Sequence, residues 1–198
     1  MCGIVGYIGN KPVYDILING LKKLEYRGYD SSGIMIYNQK PLVKKAKGKV
    51  SDLEKLFVNS ADKQGYLGIG HTRWATHGPP NQINSHPHTS NSGEITLVHN
   101  GIIENYDSIK KILTQKGYVF HSDTDSEVLV NLIEDIKKTK NVKLGKAVYF
   151  ALKQVVGAYA IVVFDSKNPK EIVGARLGSP LAIGVGDSEY YFGSDATP

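Results

Sequence analysis

The residue with the greatest chemical potential in this 198-residue chain is Cys2, its only cysteine. A small residue at position two favours removal of Met1, so we expect Cys2 to carry a free α-amine in the processed chain. An α-amino group titrates at about 7.7–8.0, and its neutral fraction at physiological pH can accept the thiol proton. The sequence therefore predicts an N-terminal thiol nucleophile that is assisted by its own amine.

Four polar motifs supply the other groups that thiol chemistry needs. Residues 26–33 (Y-R-G-Y-D-S-S-G) follow a predicted helix, and residues 70–78 (G-H-T-R-W-A-T-H-G) end a predicted strand. Residues 99–101 (H-N-G) end another strand, and residues 122–127 (S-D-T-D-S-E) open a helix. Acyl transfer to a thiol requires a nucleophile, donors for an oxyanion, and charges that hold a zwitterionic substrate. These motifs offer all of them, so we expect the motifs to surround Cys2.

Hydrophobic periodicity predicts the elements that position these motifs. Strands are predicted at 3–8, 33–37, 42–46, 66–72, 94–99, 158–165, 171–177, 181–186 and 189–193. Helices are predicted at 12–25, 52–58, 106–116, 125–138 and 144–155, the second of them from a capping-box pattern of Ser51 and Glu54. Residues 74–93 follow neither pattern, and loops of that length inside a domain are usually functional.

The order of these elements predicts an α+β fold. The strands fall into two groups with helices before and between them, which fits two packed, mainly antiparallel sheets covered by helices and does not fit regular βαβ alternation. The sequence predicts that residues 1–198 form one domain. The last predicted strand is followed by no polar tail. We therefore expect a domain that is truncated at its C-terminal end.

Composition excludes several classes of protein. The formal charge of +5 is scattered, so we expect no nucleic-acid partner and a solvated lysine cluster at residues 44–49. Without a signal peptide or an apolar run of roughly 20 residues, we expect a cytoplasmic protein with no membrane contact. One cysteine excludes an intrachain disulfide. The six histidines lack the spacing of a zinc site, which predicts hydrogen-bonding roles, with His86 supporting a loop, and neither metal nor cofactor.

Five motifs taken together carry a family resemblance. Their order along the chain is M-C-G-I-V-G-Y-I-G, L-E-Y-R-G-Y-D-S-S-G-I, G-H-T-R-W-A-T-H-G, H-N-G-I-I-E-N-Y and S-D-T-D-S-E. In this order they resemble the glutaminase domain of class II glutamine amidotransferases, which are N-terminal-nucleophile hydrolases, from residue 2 to the last residue. The resemblance implies a four-layer αββα sandwich that hydrolyses L-glutamine to glutamate and ammonia through a γ-glutamyl thioester.

The resemblance also implies a role for each matching residue. Cys2 is the nucleophile, and the Asn100 side-chain amide and the Gly101 backbone N–H form the oxyanion hole. The implied substrate-binding residues are Arg73 for the α-carboxylate, Asp125 for the α-ammonium, Thr76 and His77 beside Arg73, Arg27 and Gly28 in a loop near the nucleophile, and Trp74 in a mobile lid. Asp125 is preferred over Asp123 because the family pattern places T-D directly ahead of the helix.

Two motifs distinguish branches of this family. R-G-Y-D and T-R-W-A-T-H-G are similar to glutamine–fructose-6-phosphate aminotransferases, whereas R-G-Q-D and V-R-Y-S-T are expected for amidophosphoribosyltransferases. The resemblance thus implies a homodimer in which a sugar-isomerase domain, absent from this chain, receives the ammonia, so that this chain alone has only glutaminase activity. The alternatives are an amidotransferase of the amidophosphoribosyltransferase or asparagine synthetase type, and a non-catalytic module with the same fold.

The motif residues also have purely structural explanations. Asp125 fits a helix cap, Asn100 and Gly101 fit a turn, and Arg73 taken alone fits a surface ion pair. Trp74 fits either core packing or a lid, and the sequence leaves that choice open.

Overall fold

The computed structural model describes residues 2–74, 79 and 81–195. In chain order its elements are β1 (Gly3–Ile8), α1 (Val13–Leu24), β2 (Ser31–Asn38), β3 (Lys40–Lys47), α2 (Val50–Glu54), β4 (Leu67–Arg73), β5 (His88–Thr89), β6 (Ile95–Ile103), α3 (Tyr106–Gln115), α4 (Asp125–Lys140), α5 (Leu144–Leu152), β7 (Gly157–Asp165), β8 (Ile172–Leu177), β9 (Ala182–Gly186) and β10 (Glu189–Gly193). None of the helices in these described ranges is both long enough and apolar enough to cross a membrane.

The strands form two antiparallel sheets. Their strand orders are β3-β2-β4-β1-β10-β9 in the six-stranded sheet and β5-β6-β7-β8 in the four-stranded sheet. β1 is central in the larger sheet, where Gly3 lies opposite Thr72 of β4. Beyond β10, the Ser194 N–H donates to the Ile4 carbonyl at 3.1 Å, and the Ile4 N–H donates to the Ser194 hydroxyl at 2.9 Å. The first and last described strands are thus hydrogen-bonded to each other, and Cys2 lies at the end of a central strand.

Apolar side chains fill three separate spaces. Because side chains alternate along a strand, Ile4 of β1 points between the two sheets and Val5 points toward α1. The space between the sheets holds Ile4, Met35, Ile69, Val162 and Phe164. The space beneath α1 and α2 holds Leu17, Leu21, Ile34 and Leu53, and that beneath α3 to α5 holds Leu97, Leu129, Ile133, Val148 and Ile161. The predicted α+β class and the four-layer αββα sandwich are therefore confirmed.

β6 is longer than the sequence predicts. The prediction ends this strand at His99, but the strand continues to Ile103 and pairs with β7 along its whole length. Gly101 has a φ of 135°, and a Cβ at this position would lie 2.0 Å from the carbonyl oxygen of Ala158. The H-N-G motif is thus part of the strand, and glycine is required there by the close approach of β7.

The short helix α2 begins earlier than predicted. Its first residue is Val50, and the Asp52 carboxylate accepts a hydrogen bond from the Lys49 backbone N–H at 3.1 Å. The predicted capping box of Ser51 and Glu54 is therefore wrong, because the acid that bonds back to the start of the helix is Asp52, two positions before Glu54.

Two lysines of the predicted solvated cluster are partly buried. Lys44 forms an ion pair with Asp62 at 2.6 Å, and the Lys45 ammonium donates to the Ser85 carbonyl at 2.8 Å. Burial lowers the pKa of Lys45 to about 8. The expectation of a fully solvated cluster is wrong for these two side chains, and Lys45 ties β3 to the long segment 74–93, which also contains β5.

Candidate active site

A cavity of about 290 Å³ opens beside Cys2. Such a volume suits a small ligand. The residues predicted from the sequence that line it are Cys2, Arg27, Arg73, Trp74, Asn100, Gly101 and Asp125. Motifs that are far apart in the chain are therefore brought to one place.

Strand and helix ends bring these groups together. Cys2 immediately precedes β1, and Arg73 is the last residue of the adjacent strand β4. Asn100 comes from β6 of the other sheet, and Asp125 is the first residue of α4. The cavity thus receives side chains from both sheets and from the start of one helix.

The Cys2 thiol is held at the cavity wall in its protonated form. The Trp74 backbone N–H donates to the Cys2 sulfur at 3.2 Å. Burial raises the pKa of the Cys2 thiol, and the negative charge of Asp30 acts in the same direction. The Trp74 N–H and the positive charge of Arg73 oppose this rise in pKa without cancelling it. Because the thiolate is the reactive species, this thiol requires a base in order to react at neutral pH.

The Cys2 carbonyl oxygen is fixed by two side chains. It accepts a hydrogen bond from the Asn100 amide nitrogen at 3.0 Å and another from Nε of Arg27 at 3.2 Å. The Arg27 guanidinium in turn lies 3.1 Å from the Asp195 carboxylate, which also accepts from the Tyr26 hydroxyl. Residues from β6, from the segment after α1 and from the segment after β10 therefore hold Cys2 in place.

Buried histidines lie behind Asn100. Nε2 of His71 is 2.9 Å from Oδ1 of Asn100, and the His71 and His86 rings stack with centroids 4.1 Å apart. The Ser126 hydroxyl lies 2.9 Å from Nε2 of His86 and 2.9 Å from Nδ1 of His99. Burial lowers the pKa of His71 to about 3 and that of His86 well below its usual value. These two rings are neutral at physiological pH and serve as hydrogen-bonding groups.

Oppositely charged side chains line the same cavity. Arg73 is 4% exposed and donates to the Pro79 carbonyl at 3.5 Å. Asp125 is 4% exposed, and one of its carboxylate oxygens accepts from the Ile103 backbone N–H at 2.8 Å. Arg73 is therefore not the surface ion pair that its sequence alone would suggest. A ligand in the cavity therefore meets both a cation and an anion.

The two acids of the S-D-T-D motif have different surroundings. Asp125 lines the cavity, whereas the Asp123 carboxylate lies 3.3 Å from the Asn84 amide nitrogen. The helix cap is Thr124, whose hydroxyl accepts from the Glu127 N–H at 3.3 Å. The capping role considered for Asp125 is thus wrong, because Asp125 is already the first helical residue.

Among the predicted residues that the structure describes, Gly28 does not line this cavity. Thr76 and His77 lie outside the described residues. Gly28 packs directly against the backbone that carries Arg73, since a Cβ on Gly28 would lie 2.7 Å from the Arg73 carbonyl carbon. Its φ of 177° suits any residue, so the close approach is what requires glycine.

Trp74 is not core filler. Its side chain is 50% exposed and contacts the Tyr29 ring edge-on at 5.7 Å. Trp74 borders both the cavity and the surface. This position suits a side chain that covers the cavity and does not fit one that packs in the core.

The structure adds cavity residues to which the sequence assigned no contact with a ligand, and His86, predicted to support a loop, is one of them. His86, His99, Ile102, Thr124, Ser126, Ser179 and Pro180 also line the cavity. The sequence could have indicated His71, which lies behind Asn100. His71 stands two positions before Arg73 on the same strand, so the two side chains share one face of the sheet. In the described part of the chain, no group of three His, Cys, Asp or Glu side chains is arranged to hold a metal ion.

Related proteins share both the sequence and the fold. The glutamine amidotransferase domain family matches residues 43–197. The chain is 57% identical over 200 residues to the glutamine–fructose-6-phosphate aminotransferase (isomerizing) of Bacteroides thetaiotaomicron, a match that covers 100% of this chain and 32% of that protein. The protein of the same name from Chlorobaculum tepidum is 54% identical over 201 residues, covering 100% of this chain and 33% of its own length. The chain thus spans about a third of the length of these relatives.

A solved structure supports the same assignment. Glutamine phosphoribosylpyrophosphate amidotransferase from Bacillus subtilis, complexed with ADP and GMP, matches with a TM-score of 0.82 and 28% identity, over 98% of this chain and 42% of that chain. The chain therefore belongs to the glutamine amidotransferase family and has the class II, N-terminal-nucleophile fold.

Proposed function

We propose that this chain hydrolyses L-glutamine to glutamate and ammonia through a γ-glutamyl thioester on Cys2. One observation carries the proposal: a single cavity of about 290 Å³ joins Cys2, Asn100, Arg73 and Asp125. These residues supply a nucleophile, an amide donor, a cation and an anion. This combination suits an amino acid whose side chain is an amide.

The charged residues orient the substrate. Arg73 pairs with the α-carboxylate, for which the planar guanidinium offers two parallel N–H donors. Asp125 accepts from the α-ammonium. Both side chains are almost fully buried, which strengthens their interaction with the substrate charges relative to the same pairs in water. The side-chain amide of glutamine is then directed toward Cys2, with Thr76 and His77 assisting Arg73 at the α-carboxylate and Trp74 covering the substrate.

The reaction proceeds in two half-steps. The α-amine of processed Cys2 takes the thiol proton, and the sulfur attacks the γ-carbonyl carbon of glutamine. The Asn100 amide and the Gly101 N–H stabilise the oxyanion of the tetrahedral intermediate. The amine returns the proton to the departing nitrogen, which leaves as ammonia. Water then adds to the thioester with help from the same amine and releases glutamate.

We further propose that the ammonia is delivered to fructose 6-phosphate by a sugar-isomerase domain outside this chain. The relatives at 57% and 54% identity carry the name of that activity and are about three times as long as this chain. Phosphoribosyl pyrophosphate is the weaker candidate acceptor, because the amidotransferase named for it is 28% identical. The homodimer and the cytoplasmic location expected from the sequence stay predictions.

Covalent labelling tests the glutaminase assignment. The processed chain is incubated with 6-diazo-5-oxo-L-norleucine, an electrophilic analogue of glutamine, and its peptides are examined by mass spectrometry. We expect one adduct on Cys2 and a loss of glutamate release, whereas Cys2→Ser and a chain that retains Met1 stay unlabelled. A folded, processed sample that is neither labelled nor able to release glutamate from glutamine would contradict the proposal.

The acceptor is tested separately in the complete enzyme that contains this domain. Fructose 6-phosphate and phosphoribosyl pyrophosphate are each supplied with glutamine labelled with ¹⁵N in its side-chain amide, and the aminated product is identified by mass spectrometry. Label in a hexosamine phosphate supports our assignment. Label in a phosphoribosylamine would overturn the acceptor and leave the glutaminase step intact.

A further inference from the structure

The hydrogen bonds around Asn100 determine which way its side-chain amide faces. The amide nitrogen lies 3.0 Å from the Cys2 carbonyl oxygen, which can only accept. Oδ1 is thereby turned to the opposite side, where Nε2 of His71 lies at 2.9 Å. Two hydrogen bonds, one at each end of the amide, therefore keep the NH₂ group of Asn100 facing Cys2.

The surroundings of His71 allow only one protonation state. Its Nε2 contacts two acceptors, Oδ1 of Asn100 at 2.9 Å and the carbonyl oxygen of His99 at 3.1 Å, so this nitrogen must carry a hydrogen. Its other ring nitrogen is buried and has no hydrogen-bond partner among the described residues, and the ring stacks on His86 at 4.1 Å. A hydrogen on that second nitrogen would be a buried donor without an acceptor, which is costly. His71 is thus a neutral ring that donates from Nε2.

From this geometry we infer that His71 is a positioning residue for glutamine cleavage. Its Nε2–H holds the Asn100 amide with its NH₂ toward Cys2, where the oxyanion forms. The inference rests on the proposed function, because it needs Asn100 to act as an oxyanion donor. Without His71 the amide keeps only its bond to the Cys2 carbonyl, so it spends more time rotated by half a turn, with Oδ1, an acceptor that repels the oxyanion, toward Cys2.

The expected effect of removing the donor is a loss of kcat. Deleting an oxyanion donor outright costs about 10²–10³ in rate. Freeing the donor to rotate costs less, and we expect His71→Leu to lower kcat about tenfold, as the loss of one neutral hydrogen bond does. The KM for glutamine should stay within about twofold, because Arg73 and Asp125 hold the substrate by its other end.

A pair of amide variants separates the hydrogen bond from general packing. Glutamine can place an NH₂ donor close to the position of the imidazole Nε2, whereas the shorter asparagine cannot. We therefore expect His71→Gln to keep most of the wild-type kcat and His71→Asn to lose it as His71→Leu does. This comparison remains informative if His71→Leu fails to fold. Equal kcat values for the two amide variants would overturn the inference.

A double-mutant cycle with Asn100→Ala completes the test. If His71 acts only through Asn100, then His71→Asn should lower kcat in the wild type but have little further effect once Asn100 is alanine. Additive losses would show that His71 does not act through Asn100 and would refute the inference. Failure of the proposed function is a different result, because the wild-type chain would then release no glutamate and Cys2 would not be labelled.

Discussion

Replacement of Gly101 by alanine tests whether the H-N-G motif is built for close strand contact. The added Cβ would lie 2.0 Å from the Ala158 carbonyl oxygen, far inside van der Waals contact, so β6 and β7 must separate. Overpacking of this kind costs about 1–3 kcal/mol. The φ of 135° adds roughly 1–3 kcal/mol of backbone strain for any residue with a Cβ. We expect Gly101→Ala to lower the free energy of unfolding by about 2–6 kcal/mol.

Gly145 provides a matched control. It lies in α5, where a Cβ on this residue would meet no atom of the described chain within 4 Å beyond its own helix backbone. Alanine favours a helix over glycine by about 0.8–1.0 kcal/mol in the interior, so Gly145→Ala should raise stability by up to about 1 kcal/mol.

The assay for both variants is urea denaturation followed by circular dichroism, together with glutamate release from glutamine. A shift of the midpoint at constant slope reports stability directly. Glutamate release should be lost in Gly101→Ala, because strand separation displaces Asn100 along with Gly101. If Gly101→Ala denatures at the same urea concentration as the wild type, the interpretation of this glycine is wrong.

Three further predictions concern the cavity and its support. Arg73→Lys replaces the bidentate guanidinium by a single ammonium, and we expect the KM for glutamine to rise about tenfold with a smaller change in kcat. Steady-state glutaminase kinetics measure both constants, and an unchanged KM would contradict the pairing of Arg73 with the α-carboxylate of glutamine. Asp195→Asn weakens the ion pair that holds Arg27 against the Cys2 carbonyl. Because the Asp195 carboxylate is partly exposed, we expect only about a fivefold fall in kcat. A normal rate of Cys2 labelling would argue that Asp195 does not support Cys2 through Arg27. Acidification from pH 7 to pH 5 should remove about 2 kcal/mol of stability through His71 alone, because its pKa is about 3 when folded and about 6.5 when unfolded, so the unfolded state binds more protons in this range. Denaturation at both pH values should show a smaller loss for His71→Gln than for the exposed His121→Gln, and equal losses would contradict the buried, neutral histidine.

The sequence predicts the sandwich well because its signals are local. The spacing of Leu17, Leu21 and Leu24 defines one face of α1, and the alternation of Ile4 and Val5 divides β1 between two apolar layers. These patterns depend on periodicity within a few residues, and most of the predicted element bounds lie within about two residues of those observed.

Prediction fails where a local pattern has two possible causes. Asn100 and Gly101 have the composition of a turn, yet they lie inside a paired strand, because glycine also permits close contact with a neighbouring strand. The dipeptide indicates that the backbone needs the freedom of glycine, but it does not indicate whether a turn or a neighbouring strand is the reason. The same applies to Lys45, whose charge suggested solvent although its ammonium bonds to the carbonyl of Ser85, 40 positions away.

The candidate site shows the same division. The family motifs locate Cys2, Arg73, Asn100 and Asp125, and the structure places all four around one cavity. They do not reveal that His71 faces Asn100 from the opposite sheet, because that contact exists only after the two sheets have packed. The residues proposed to act on substrate are therefore easier to find in this sequence than the residue proposed to position one of them.

The pairing of β1 with β10 has a consequence for how the protein is made. The strand that directly follows Cys2 cannot complete its hydrogen bonds until the segment around Ser194 has been synthesised. At about 5–20 residues per second, that delay is roughly 10–40 s. Throughout this interval the start of the chain lacks one of its two neighbouring strands and remains open to an aminopeptidase. The hydrogen bonds of β1 are thus completed only after residue 194 has been made, when an enzyme that removes Met1 has already had time to act.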